Sequence, residues 1–223
     1  MDLPATLGTA RTPVAGGMIR IDVTSKHYGE SQVLGPIAFE IAKGETVAVL
    51  GPSGIGKSTL LRIVAGIDAR FEGTVQRPER MAIVFQEPTL LPWRSVFQNL
   101  TLVHPDLSRD AAREMLTKVG IGDKADLFPG QLSLGQQRRL ALARAFAGNP
   151  DFLIMDEPFV SLDAATAKTM LDLTKTLIRD VGPATLFVTH ARNEADALSA
   201  RILALRGTPA TLGPHLISAK EKP

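Results

Sequence analysis

Cysteine is absent from the 223 residues. That excludes a disulfide framework, a thiolate metal site and a cysteine nucleophile, and it suits a reducing compartment. Charge of one sign is not in excess either. Lys and Arg number 25 against 23 Asp and Glu, a net +2, which makes no electrostatic case for nucleic acid or an anionic membrane. No run approaches the ~18 apolar residues a membrane span needs. The first 17 residues lack the basic start and apolar stretch of a signal peptide; their scattered Pro and Gly read as a flexible leader, residues 1–17. Aromatics are few, with one tyrosine (Tyr28) and one tryptophan (Trp93). What is present, 44% hydrophobic and 22% charged residues, suits a globular chain with a real core. Residues 18–223 read as a single domain without internal repeats.

Hydrophobic patterning divides that domain. Residues 18–24 alternate apolar and polar like a half-buried strand, and 33–41 form a second strand broken at Gly35-Pro36. Apolar runs at 45–50, 80–85, 151–155 and 184–188 are followed by loops and helical periodicity, which predicts parallel βαβ units. The stretch of about 87–150 has no strong strand run. Its spacing predicts helices over 108–119, capped by Ser108 and closed by Gly120, and over 136–147, stopped by Gly148-Asn149-Pro150. It therefore reads as a helical insertion into an α/β core. The 33 residues after His190 are too few for an appended regulatory domain.

Gly51-Pro52-Ser53-Gly54-Ile55-Gly56-Lys57-Ser58 matches GxxxxGK[ST], followed by Thr59, and it sits between a buried-strand run and a helix. Such glycines let backbone N–H groups turn inward around a polyphosphate, and the helix N-terminus adds its dipole. Lys57 is placed to reach the β- and γ-phosphates, and the Ser58 hydroxyl to ligate Mg²⁺. The loop predicts an NTP site. Residues 152–157 (FLIMDE) form an apolar strand ending in two acids. Asp156 suits a Mg²⁺ anchor at a strand C-terminus. Glu157 suits the group that orients or polarises an attacking water, which an ATPase making its own water nucleophile needs and a nucleotide kinase or small GTPase rarely does.

Leu132-Ser133-Leu134-Gly135-Gln136 resembles the LSGGQ signature of ATP-binding cassette (ABC) ATPases, and further elements of that family occur in order over about 18–205. Tyr28 resembles the aromatic that stacks on adenine. Gln86 resembles the Q-loop glutamine that senses Mg²⁺ and the attacking water. Ser161-Leu162-Asp163 resembles the D-loop, and His190 the switch histidine at the γ-phosphate. The resemblance implies a P-loop α/β core with N-terminal antiparallel strands and a helical insertion. It implies Mg-ATP hydrolysis by a head-to-tail dimer, in which Ser133, Gly135 and Gln136 of one chain complete the other chain's site. Leu134 departs from the pattern, because the family has glycine there; a Cβ at this position would crowd the backbone or exclude φ > 0. Taken singly, Tyr28 could be packing, His190 a strand-end histidine and Asp163 a helix N-cap.

Residues 87–96 (EPTLLPWRSV) put apolar side chains on a proline-broken loop beside Gln86, where a permease is expected to dock; the alternative is that Leu90, Leu91 and Trp93 fold into the insertion's core. This loop and DEPFVSLD resemble the ATPases of bacterial importers for nitrate, sulfonates, taurine and thiamine precursors. The expectation is a subunit peripheral to the cytoplasmic face of the inner membrane. Its partners would be a second copy, the permease and, through the permease, a solute-binding protein. The competing readings are a soluble ABC ATPase acting on nucleic acid or ribosomes, and a P-loop kinase.

Overall fold

Alternating burial and unbroken burial separate two kinds of strand in this chain. The computed structural model describes residues 18–213. The chain runs β1 (Ile19–Tyr28), β2 (Ser31–Leu34), β3 (Ile37–Ile41), β4 (Thr46–Leu50), α1 (Lys57–Val64), β5 (Glu72–Gln76), β6 (Met81–Val84) and α2 (Val96–Thr101). It continues with α3 (Arg109–Lys118), α4 (Leu134–Phe146), β7 (Phe152–Asp156), α5 (Ala164–Val181), β8 (Ala184–Thr189), α6 (Arg192–Ala197), β9 (Arg201–Arg206) and β10 (Thr211–Leu212). They gather into two compact units, residues 18–79 with 184–213, and residues 80–183.

In the first unit, β1 pairs antiparallel with β2, β3 and β5. One face of β1 and β3 is buried through Ile19, Ile21, Val23, Ile37, Phe39 and Ile41, the alternation expected of a sheet wet on one side. Beside them β4 lies between β8 and β9, parallel to both, and β10 runs antiparallel to β9. β4 and β8 are buried along almost their whole length, as parallel strands covered on both faces are. In the second unit, β6 and β7 pair in parallel. α4 packs against α2, α5 and β6, burying Leu140, Leu142 and Phe146.

The predicted strands recur with ends shifted by a few residues, and the break at Gly35-Pro36 separates β2 from β3. Within 87–150 there are α2, α3, α4 and two 3₁₀ turns and no strand; the compact unit that contains this stretch is wider, Arg80–Pro183. α3 starts on Ser108, whose hydroxyl accepts from the Ala111 N–H at 3.2 Å. It ends in a Schellman motif: Gly120 (φ 74°) donates to Thr117 O and Ile121 to Leu116 O. α4 begins at Leu134, two residues earlier than its periodicity suggests, because the cap, not the apolar stripe, sets the start of a helix. Elements the sequence pattern did not single out are β5, β9, β10 and α2. The leader at 1–17 lies outside the described residues.

Candidate functional site

The first unit carries the phosphate loop. Leu50 ends β4, residues 51–56 turn, and Gly56 caps α1 with φ 107°. A side chain could not replace that glycine: a Cβ would lie 2.7 Å from Leu34 Cδ2 and the φ is one that L-residues avoid. The loop's cradle is thus held against β2. Lys57 is buried, and its Nζ donates to the carbonyls of Gly51 at 2.9 Å and Pro52 at 3.1 Å. The ammonium is therefore fixed inside the loop, next to the N-terminus of α1, which is an arrangement for anions. Ser58 and Thr59 follow on the first turn, half-buried.

His190 belongs to the same edge of this unit. Thr189 is the parallel partner of Leu50, so the phosphate loop and His190 leave adjacent strands at their C-terminal ends, where open α/β sheets bind ligands. His190 is exposed. Its turn is held by Thr189, whose hydroxyl donates to Glu194 and accepts from the Ala191 N–H at 3.0 Å.

Tyr28 ends β1 in this unit. Leu34, which packs on Gly56, pairs with Lys26, and Ser31 pairs with Tyr28. Tyr28 therefore lies two residues, about 7 Å, farther along the hairpin than the point touching the phosphate loop. The residue is 46% exposed, and its hydroxyl donates to Asp68 Oδ2 at 3.1 Å. Burial alone would raise the Asp68 carboxyl. Hydrogen bonds from Lys26, the Arg70 N–H and Tyr28 outweigh that and hold it below its ordinary value.

The second unit carries the acids. Val84 of β6 pairs with Met155 of β7, so Gln86 and the pair Asp156–Glu157 leave neighbouring strands at the same end. Gln86 is exposed, Asp156 and Glu157 half-buried. Glu157 adopts φ 42°, a left-handed conformation that costs a non-glycine residue about 1–2 kcal/mol and concentrates at functional sites. Beyond it, the Pro158 carbonyl accepts from Arg138 Nη1 at 2.8 Å; burial lowers the pKa of that arginine. Arg138 was not found from sequence, since an arginine on a helix surface resembles a solvated one until its contact twenty residues away is known.

The signature residues lie at the start of α4. Ser133 is the N-cap itself: its hydroxyl accepts from the Gln136 N–H at 3.3 Å, and Gln136 Oε1 accepts from the Ser133 N–H at 3.0 Å, a capping box. Gly135 sits within the first turn, where a Cβ would come 3.3 Å from Thr166 Cγ2. The expectation that Leu134 meets a backbone needing φ > 0 is corrected. Leu134 is the first helical residue, is not among the positive-φ residues, and is 44% exposed, so its isobutyl group crowds no backbone. Asp163 caps α5, accepting from the N–H groups of Ala165 at 3.1 Å and Thr166 at 3.0 Å. Hydrogen bonds from Thr166, first its side chain and then its N–H, together with that from Ala165, hold its carboxyl below the ordinary value.

In the loop 87–96, Trp93 is 68% exposed, while Leu90 and Leu91 are half-buried; the alternative that all three enter the core fails for Trp93. Asn99, 1% exposed, staples this loop. Its Oδ1 accepts from the Leu91 N–H at 2.8 Å, and its Nδ2 donates to the carbonyls of Leu91, Arg94 and Ser95 at 3.0–3.1 Å. Arg144 donates to Thr89 O at 2.7 Å. Neither residue was found from sequence, although a lone Asn amid apolar helix positions is a signal of a buried partner.

The family model described as ABC transporter matches residues 34–160. Similar curated proteins include an aliphatic sulfonates import ATP-binding protein of Paracoccus denitrificans, 47% identical over 82% of this chain and 76% of that protein. Those of Granulibacter bethesdensis and of a Mycobacterium species are each 42% identical, over 87% and 86% of this chain and 81% of each relative.

Proposed function

This chain belongs to the ABC transporter family, and from that premise we propose that it is the ATPase subunit of a bacterial importer for aliphatic sulfonates, working as a head-to-tail dimer on Mg-ATP. Hydrolysis of ATP to power transport is the family's activity, and the import subunits it resembles act with a membrane permease. The solute class is taken from the names of the relatives. One observation carries the reading: the Gly51–Ser58 loop, with Lys57 fixed in it, leaves β4 at Leu50, in register with Thr189, the last residue of β8 and the one before His190.

The residues fit a nucleotide. Gly56 lets the loop close against Leu34, where a Cβ would not fit, and Lys57 supplies the cation inside the loop. Backbone N–H groups of 53–58 bind the β- and γ-phosphates, Lys57 neutralises their charge, and Tyr28 lies under the base. Ser58 offers a hydroxyl, Asp156 a carboxylate and Gln86 an amide oxygen to Mg²⁺. When bound, that ion offsets charge on the transferred phosphoryl group. Glu157 accepts a proton from the attacking water, and His190 contacts the γ-phosphate. Ser133, Gly135 and Gln136 present the N-terminus of α4 to the second copy's nucleotide, with Asp163 at that dimer contact. Exposed Trp93 and its loop dock the permease, which places the subunit at the cytoplasmic face of the membrane and links it to a solute-binding protein.

The test is size exclusion and turnover of Glu157→Gln with Mg-ATP. The expected result is turnover lowered by at least about 100-fold, the scale of general-base catalysis, and an ATP-dependent dimer. Full turnover with no dimer would overturn the assignment of Glu157. Mild-detergent capture of the tagged chain from its own cells is expected to bring down a multi-span membrane protein; only soluble factors in the catch would overturn the docking assignment.

A further inference from the structure

Strict alternation along β1, which buries Ile19, Ile21 and Val23, would turn Lys26 to solvent. Yet Lys26 is 1% exposed. The register irregularity between Val23 and Ser25 against β5 reverses the alternation and brings it inside. A lysine is buried this fully only when its charge is matched. Its Nζ is 2.7 Å from Asp68 Oδ2 and donates to the Arg70 carbonyl at 2.6 Å. The same Asp68 oxygen accepts the Tyr28 hydroxyl, and Asp68 Oδ1 accepts the Arg70 N–H at 3.0 Å. The Lys26 ammonium also lies over the Tyr28 ring, 4.5 Å from its centroid.

The ring is thus held at two points, by its hydroxyl and by one face. An exposed tyrosine at a hairpin end would otherwise choose among rotamers, and binding a base would first have to stop that motion. An ammonium on one face also draws ring electron density toward itself, so the other face presents a weaker negative quadrupole to a purine. A leucine at position 26 would fill the space without either effect.

We infer that Lys26 and Asp68 are positioning residues for base recognition: with the ammonium against one face and the carboxylate on the hydroxyl, they hold the Tyr28 ring with its opposite face presented to the purine. The inference rests on the reading of this chain as an ATPase with Tyr28 under the base. It extends that site to two residues that would touch no part of the nucleotide.

The test is competition against a fluorescent ATP analogue on the purified chain, using ATP and inorganic tripolyphosphate, which has the phosphates and no base. Tyr28→Ala is expected to weaken ATP about tenfold and tripolyphosphate not at all. Tyr28→Phe, which removes only the hydroxyl contact, is expected to weaken ATP about threefold. Lys26→Met is expected to weaken ATP several-fold, spare tripolyphosphate, and add nothing in the Tyr28→Ala background. Lys26→Met weakening both ligands equally, or acting as strongly without Tyr28, would mean a structural role and would overturn the inference. So would unchanged ATP affinity in Lys26→Met and Tyr28→Phe while Tyr28→Ala loses it. Unchanged ATP affinity in Tyr28→Ala would instead remove the stacking reading beneath it. If Lys26→Met does not fold, Tyr28→Phe decides.

Discussion

Leu134 occupies a position where the resemblance calls for glycine, and its environment says what that substitution costs. The residue starts α4 with an ordinary helical backbone and points 44% of its surface outward. Leu134→Gly therefore relieves no strain. It should keep ATPase turnover at or above the parent's while lowering stability by about 0.5–1 kcal/mol through backbone entropy, measurable by a coupled assay and denaturant melts. Loss of turnover would mean that the leucine itself is needed. Asp68 supports a pH prediction at the same scale. Its folded carboxyl titrates below the ordinary value, so the unfolded chain takes up that proton first. The stability it contributes is whole above about pH 4 and fades as pH falls through the lowered value. Asp68→Asn should flatten this acid limb in melts between about pH 5 and 2.5, and an unaltered limb would contradict the ion pair with Lys26.

Helix ends and one loop make the element-scale predictions. α3 and α6 end in the same Schellman pattern: Ala200 donates to Ala195 O and Ser199 to Asp196 O, as Ile121 and Gly120 do in α3. Where α3 uses Gly120, α6 places Ser199 at φ 54°, the conformation glycine adopts without steric cost. Ser199→Gly should raise stability by about 0.5–1 kcal/mol, seen as a higher denaturant midpoint. The loop carrying Trp93 depends on Asn99. Asn99→Ala removes four side-chain hydrogen bonds, to the Leu91 N–H and to the carbonyls of Leu91, Arg94 and Ser95, of which Leu91 and Ser95 keep a backbone donor; it should cost about 1–3 kcal/mol, with faster proteolysis within 88–95. Four hydrogen bonds converging on one side chain explain why a proline-broken loop holds a tryptophan in the open.

The whole chain has almost no net charge, and no described helix is long and apolar enough to cross a membrane. The exposed Trp93 is the large apolar side chain on the loop proposed to dock a membrane partner. Trp93→Ala should reduce co-purification of the permease about tenfold, the scale of an aromatic anchor in an interface; equal recovery would place the docking surface elsewhere.

Much of this was legible in the residues. The phosphate loop, Asp156-Glu157, Ser133–Gln136 and the buried strands are announced within a few positions, because glycine conformations, caps and apolar runs are encoded by near neighbours. Sequence alone therefore determined the family, the α/β class, the helical character of 87–150 and the candidate nucleotide residues. Tertiary structure decided the rest. It buried Lys26 under Tyr28 against the alternation of its own strand and set Glu157 in a left-handed conformation. It also tied Thr89 to Arg144 and Tyr28 to Asp68, contacts spanning 55 and 40 residues. Side chains so far apart in sequence meet only after the backbone between them has folded, and no local pattern carries the free energy of a charge that is matched only there.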